Sequence, residues 1–228
     1  MSRSVLFDTE TTGLDPLTGD RVIEFAAIEL LNDLPTDRHF HRLIHPERDI
    51  PDGASRVHGI LIGDLEGKPK FAEVAQDILD FIGDAPLIAH NAPFDFGFMD
   101  AEFMRIGRAK LDRARMVDTL ALAKARFPGM PNSLDALCRR FGIDLSQRTS
   151  HNALLDCKLL AEVYVELTGG RQRGLGLADD DDGQDSLPVT HYTASGSRTP
   201  RPIVPGPEAL AAHTTFVAKL KDPVWLSE

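Results

Sequence analysis

The run Val5-Leu6-Phe7 ends in Asp8-Thr9-Glu10 and then in Thr11-Thr12-Gly13. A short apolar segment closed by a Gly-bearing turn reads as a buried strand. Carboxylates at its mouth lie where α/β proteins place their chemistry, outside the carboxyl ends of the strands. Side chains two apart on a strand point to one face, so Asp8 and Glu10 can address a single cluster of cations. A D-x-E at a strand end also serves as a turn or cap, and the pair gains meaning only from partners elsewhere.

Three β-like runs open the chain, at 4–8, 22–31 and 39–44, separated by Gly, Pro and Asp clusters. They predict an antiparallel meander. Phe71, Val74, Ala75, Ile78, Leu79 and Ile82 then recur at helical spacing, and Gly83 stops them. Beyond them come a short buried strand at Leu87–Ala89 and a helix marked by Met99, Phe103 and Ile106. Met116-Val117 reads as another strand, followed by helices at 133–141 and 153–167. This alternation after residue 70 predicts an α/β architecture. No internal repeat is present.

Residues 169–207 contain seven Gly, five Pro and the acidic run 179–182, with no sustained periodicity. They read as a flexible linker between a first domain, 1–168, and a terminal segment, 208–228. In that last segment Leu210, Val217 and Leu220 share a helical face, and Trp225 is the one Trp of the chain.

The net charge of −10 resides mainly in the first 168 residues, which hold 19 basic and 27 acidic side chains. Tight nonspecific nucleic-acid binding depends on Lys and Arg against phosphates, so a nucleic-acid ligand would need further means of retention. No apolar run approaches the ~20 residues that span a bilayer, and the chain opens without an apolar signal segment. Cys138 and Cys157 lie on expected helices, which fits reduced thiols and a cytoplasmic location.

Two further segments supply partners for Asp8 and Glu10. His90-Asn91-Ala92-Pro93-Phe94-Asp95 follows the strand at Leu87 and adds Asp95, which alone also fits a helix-start acid, as Asn91 fits an N-cap. His151-Asn152-Ala153-Leu154-Leu155-Asp156 adds a carboxylate about one turn inside a Leu-rich helix, where an unpaired charge is costly. Five positions correspond to about 140° around a helix, so His151 belongs on the preceding loop, free to swing toward the cluster. Four carboxylates suit hard divalent ions. A pair of such ions stabilises the attacking and leaving oxygens of an in-line phosphodiester displacement. Imidazole, with an ordinary pKa near ~6.5, suits removal of a proton from water.

These three segments resemble, in order and spacing, the three motifs of the DnaQ-like, or DEDD, 3′-to-5′ exonucleases. The His five residues before the last Asp resembles the histidine subclass, since position 152 is Asn and not the Tyr of the other subclass. The resemblance implies that Asp8, Glu10, Asp95 and Asp156 hold two Mg²⁺ or Mn²⁺ ions, with His151 as general base. Asp8, Glu10 and Asp156 would also meet the substrate, a DNA 3′ end that is single-stranded or frayed.

Val57-His58-Gly59-Ile60, the segment 132–138 and the segment 160–164 resemble the epsilon-type, proofreading branch that works with bacterial DNA polymerase III. That branch implies a contact of His58 with the terminal nucleotide, although a turn histidine fits as well. Where relatives carry a substrate-contacting Glu, position 53 is Gly. A ribonuclease-H-like fold is implied: a five-stranded mixed sheet, its first three strands antiparallel, flanked by helices and followed by a flexible tail. Gln172, Leu175 and Leu177 resemble the Q-x-x-L-x-F/L peptide that docks in the sliding clamp. Leu210, Val217, Leu220 and Trp225 would dock on the catalytic alpha subunit of the polymerase, and a small theta-like subunit is a further partner of the branch. Two other readings stay open on sequence alone: an exoribonuclease or single-strand nuclease of the same family, and a noncatalytic adaptor between clamp and polymerase.

Overall fold

In the computed structural model β1 (Arg3–Thr11) runs antiparallel to β2 (Val22–Leu31), which turns back into β3 (Leu34–Leu43). β4 (Leu87–Ala89) and β5 (Met116–Asp118) add in parallel on the other side of β1, giving the order β3-β2-β1-β4-β5. This is the expected five-stranded mixed sheet. The structure describes residues 2–146, 148, 151–169 and 205–219.

The helices of the first unit are α1 (Asp52–His58), α2 (Phe71–Ile82), α3 (Ala92–Arg105), α4 (Thr119–Arg126), α5 (Leu134–Phe141) and α6 (Ala153–Leu167). A second compact unit, 178–228, contains α7 (Pro207–Val217), which begins on the anticipated Pro. On α7 Leu210 is exposed and Val217 buried. Gln172, Leu175, Leu177, Leu220 and Trp225 lie outside the described residues. No helix among the described residues is long and apolar enough to cross a membrane.

Alternation along β1 builds two cores. Val5 and Phe7 join Phe71 and Ile78 of α2 and Phe96 and Phe103 of α3 on one face. Leu6 joins Leu137 of α5 and Leu160 of α6 on the other. At ~1.5–3 kcal/mol for each fully buried large side chain, β1 is clamped from both sides. That hold lets its carboxyl end tolerate crowded like charges, which by themselves oppose folding.

Two polar ties fix α3, the helix that carries Asp95. Glu102, buried on α3, accepts from Arg21 Nε at 2.7 Å and Nη2 at 3.0 Å and from the backbone N–H of Val22 at 3.2 Å, which joins α3 to the start of β2. Asn91, anticipated as a side-chain cap, makes no cap hydrogen bond and sits at φ 67°. Its place is taken by Asp118 at the end of β5, whose Oδ1 accepts from the N–H groups of Asn91 and Ala92 at 3.0 and 3.3 Å. A parallel neighbour's end thus sets where α3 begins.

The expected third strand starts five residues early. Asn32 and Asp33 both have positive φ, 51° and 66°, and join Leu31 to Leu34 as a two-residue hairpin. Short polar residues adopt this pair of conformations most readily. Pro35 suggested a loop, but β3 is an edge strand, where a missing N–H costs no ladder hydrogen bond. The short α1 buries only His58 and offers no apolar period to read.

Candidate active site

Asp8 and Glu10 leave β1 on the α6 side of the sheet, opposite Ala26 and Glu24 of β2. The register slips by one residue just beyond Glu10, a bulge of the kind that re-aims side chains beside active sites. The turn that follows needs Gly13, because a Cβ there would meet the Asp20 carboxylate at 2.1 Å. Asp95, in the first turn of α3, is held from the strand: Oδ1 accepts from Thr9 N at 3.1 Å and Thr9 Oγ1 at 2.8 Å. Asp156 stands one turn inside α6, and His151 precedes that helix, as its spacing implied.

All five residues line one cavity of about 620 Å³. Within it Glu10, His151 and Asp156 present ligand atoms within 4.8 Å of one another. Burial, reinforced by the charges of Asp95, Glu10 and Asp156, raises the Asp8 carboxyl well above its ordinary value. Burial and the charges of Glu24, Asp156 and Asp95 push Glu10 up to about 8. Asp95 is likewise raised by burial, to about 7, against the pull of its bonds from Thr9. Burial alone would raise Asp156 too, but the paired hydrogen bonds and charge of the Arg148 guanidinium outweigh it and hold that carboxyl below its usual range. Three carboxyls that resist ionising together are the electrostatic mark of a site built for added positive charge.

The profile of a family described as Exonuclease (RNase_T) matches residues 5–164. The chain belongs to this exonuclease family. Among its relatives, the DNA polymerase III subunit epsilon of Rickettsia felis is 44% identical over 221 residues, 96% of each chain. The subunit of the same name from Escherichia coli is 46% identical over 178 residues, 75% of this chain and 73% of that one. The fold is shared with the nuclease domain of 3′hExo, described as a DEDDh family member bound to rAMP. That likeness has a TM-score of 0.63 at 19% identity, over 73% of this chain and 92% of that one.

Two residues of this exonuclease that sequence reading passed over organise the site. Glu24, fully buried on β2, accepts from His41 Nε2 at 2.6 Å, Asn152 Nδ2 at 3.0 Å and the Ala153 N–H at 3.2 Å. It therefore docks the start of α6, and with it Asp156, beside Glu10. An acid in the middle of the apolar run Val22–Leu31 was the available signal, since such a group requires partners. Arg148 is the second: its guanidinium takes both oxygens of Asp156, at 2.6 and 2.7 Å, and reaches Asp135 and His151.

His58 sits at the end of α1, where the His151 N–H donates to the neighbouring Val57 carbonyl at 3.1 Å. It is buried and does not line the 620 Å³ cavity. Nδ1 accepts from the Ile60 N–H at 3.0 Å, which puts the proton of the neutral ring on Nε2. That Nε2 is the one buried side-chain polar atom without a partner among the described residues.

The raised carboxyls set a pH dependence of stability in the metal-free exonuclease. Between the ordinary carboxyl range near ~4 and about 8, the folded protein keeps protons that the unfolded chain has released, so stability falls as pH rises. Asp156 has the opposite sign, but its contribution is lost only below the ordinary range, outside this window. With EDTA present, the melting temperature should drop on the order of 5 °C between about pH 5.5 and pH 8.5, and millimolar Mg²⁺ should flatten the trend. A flat EDTA profile in thermal denaturation would contradict the assigned crowding.

Proposed function

We propose that this chain is the proofreading 3′-to-5′ exonuclease subunit of a DNA polymerase III, releasing mispaired nucleotides from primer ends. One observation carries the mechanistic reading: four carboxylates and an imidazole from β1, α3 and the α6 entry converge on one cavity. The epsilon-named relatives support the replicative setting.

The donor set fits divalent ions, because hard oxygen ligands are gathered where their own charges repel. Asp8, Glu10, Asp95 and Asp156 would hold two, Mg²⁺ or Mn²⁺. When bound, they would supply charge stabilisation for the attacking and leaving oxygens of the phosphodiester. The chain's own residues supply the rest. Glu24 fixes the helix that carries Asp156, Thr9 orients Asp95, and His151 takes the proton of the attacking water. His58 would meet the terminal nucleotide, as the family resemblance implies, once a local shift brings its buried Nε2–H out to the cavity. Selectivity needs no sequence reading, since a mismatched terminus unpairs more readily and reaches the cavity.

Under this reading residues 1–168 form the nuclease, 169–207 tether it and 208–228 dock on the polymerase alpha subunit. Gln172, Leu175 and Leu177 would engage the sliding clamp, and Leu210, Val217, Leu220 and Trp225 the polymerase, with a theta-like subunit as an additional partner. Tethering raises the local concentration of a −10 protein at the primer end. The deciding experiment follows nucleoside monophosphate release from paired and mispaired primers of DNA and of RNA, with Mg²⁺ and with EDTA. Mg²⁺-dependent release, faster from mispaired DNA, is expected. Release confined to RNA would favour the exoribonuclease reading, and no release from any 3′ end would favour the adaptor.

A further inference from the structure

We propose that Arg148 is the resident counter-ion of the metal-free acid cluster, and that Asp156 exchanges it for a divalent cation in a step that also frees Nδ1 of His151. The inference rests on the metal-site reading above. Of the described residues lining the cavity, five are carboxylates, counting Asp135, and Arg148 is the single Lys or Arg. Its side chain is 9% exposed and that of Asp156 5%. A guanidinium so enclosed, with both Asp156 oxygens on its planar fork, holds the carboxylate in a bidentate geometry.

The same guanidinium governs His151. Nη2 of Arg148 lies 2.9 Å from His151 Nδ1. Arginine has no acceptor and stays charged, so in this contact Nδ1 must accept. Its lone pair is then occupied, and the proton of the neutral ring is confined to Nε2. Nδ1 also stands 3.3 Å from Asp156 Oδ2. One cation therefore blocks a metal ligand and a nitrogen of the general base at once.

The fold provides a place for Arg148 to be kept. Its Nη1 donates to Asp135 Oδ1, and the Asp135 side chain is 39% exposed, far nearer solvent than Asp156. When Asp156 takes a doubly charged ion, repulsion at contact range opposes the guanidinium. Asp135 remains as its anchor. Loading of the site and release of the base become one event, which keeps His151 restrained until the cations are in place.

Titration calorimetry of the full chain with Mn²⁺ alone separates this from a scaffolding role. If Asp156 is free of Arg148 in about one molecule in ten, the apparent affinity is weakened about tenfold, and Arg148→Met should bind Mn²⁺ about tenfold more tightly. An arginine that merely orients Asp156 gives the reverse sign. Unchanged or weaker binding by this variant, with wild type binding normally and Asp8→Ala impaired, overturns the proposal and leaves the metal-site reading standing. Wild type that binds no Mn²⁺, or Asp8→Ala that binds as well as wild type, overturns both. A second readout needs no variant: the imidazole ¹⁵N spectrum of His151 in the wild-type chain should show the Nδ1 signal shift on Mg²⁺ addition. A signal that stays in place while Mg²⁺ binds also overturns the proposal.

Discussion

Asp8→Ala is expected to abolish nucleotide release from 3′ ends and, in EDTA, to make the protein more stable. The first effect follows from position. Asp8 lies at the carboxyl end of the central strand, facing Glu10, Asp95 and Asp156 electrostatically. Several kcal/mol of transition-state stabilisation depend on cations that these oxygens would hold, which corresponds to roughly 10³-fold or more in rate. The second effect comes from the same crowding. A carboxyl raised well above its ordinary value is one the fold holds against its electrostatic preference, so its removal relieves repulsion without opening the cores on either face of β1. Two measurements on one variant check this: monophosphate release with Mg²⁺, and melting temperature with EDTA near pH 8. Activity within tenfold of wild type would remove Asp8 from the mechanism. A lost activity accompanied by a lower EDTA melting temperature would assign Asp8 to the scaffold instead.

The parts of this architecture that were legible in the sequence are those in which local pattern and tertiary role coincide. Phe71–Ile82 was readable because its apolar spacing is also its buried face. His151 was readable as a loop residue because five positions cannot share one helix face with Asp156. Asp8, Glu10, Asp95 and Asp156 were readable as a set because each follows or opens an element with a clear apolar signal.

What was missed depends on pairing across long sequence separation. Glu24 acquires its role from a register that sets it opposite Glu10 and from the approach of α6, 128 residues away at Asn152. Asp118 sets the start of α3 only because β5 ends beside β4. The β3 boundary was hidden by Pro35 and by two turn residues whose positive φ reads as loop but builds a hairpin. In each case the residue type advertised a need, a buried acid or a turn former, without naming the partner that meets it.

His151→Ala carries the second large expected effect, and its form distinguishes a base from a ligand. The backbone on either side is fixed: the His151 N–H donates to Val57, and Asn152 caps α6 through the Leu155 N–H at 3.0 Å while its own amide donates to Glu24. The imidazole itself is 49% exposed at the rim of the cavity. A half-exposed imidazole on a fixed backbone suits proton transfer once its Arg148 contact is released, and kcat should fall roughly 10²–10⁴-fold with little change in KM. Yet His151 also falls within 4.8 Å of ligand atoms of Glu10 and Asp156, a spacing that would allow it to hold an ion. Hard divalent cations favour the carboxylates over that nitrogen, so Mn²⁺ affinity in His151→Ala should stay within about threefold of wild type, the scatter typical of context effects. A tenfold or larger loss of affinity would place His151 among the ligands and require the proton of the attacking water to leave by another route.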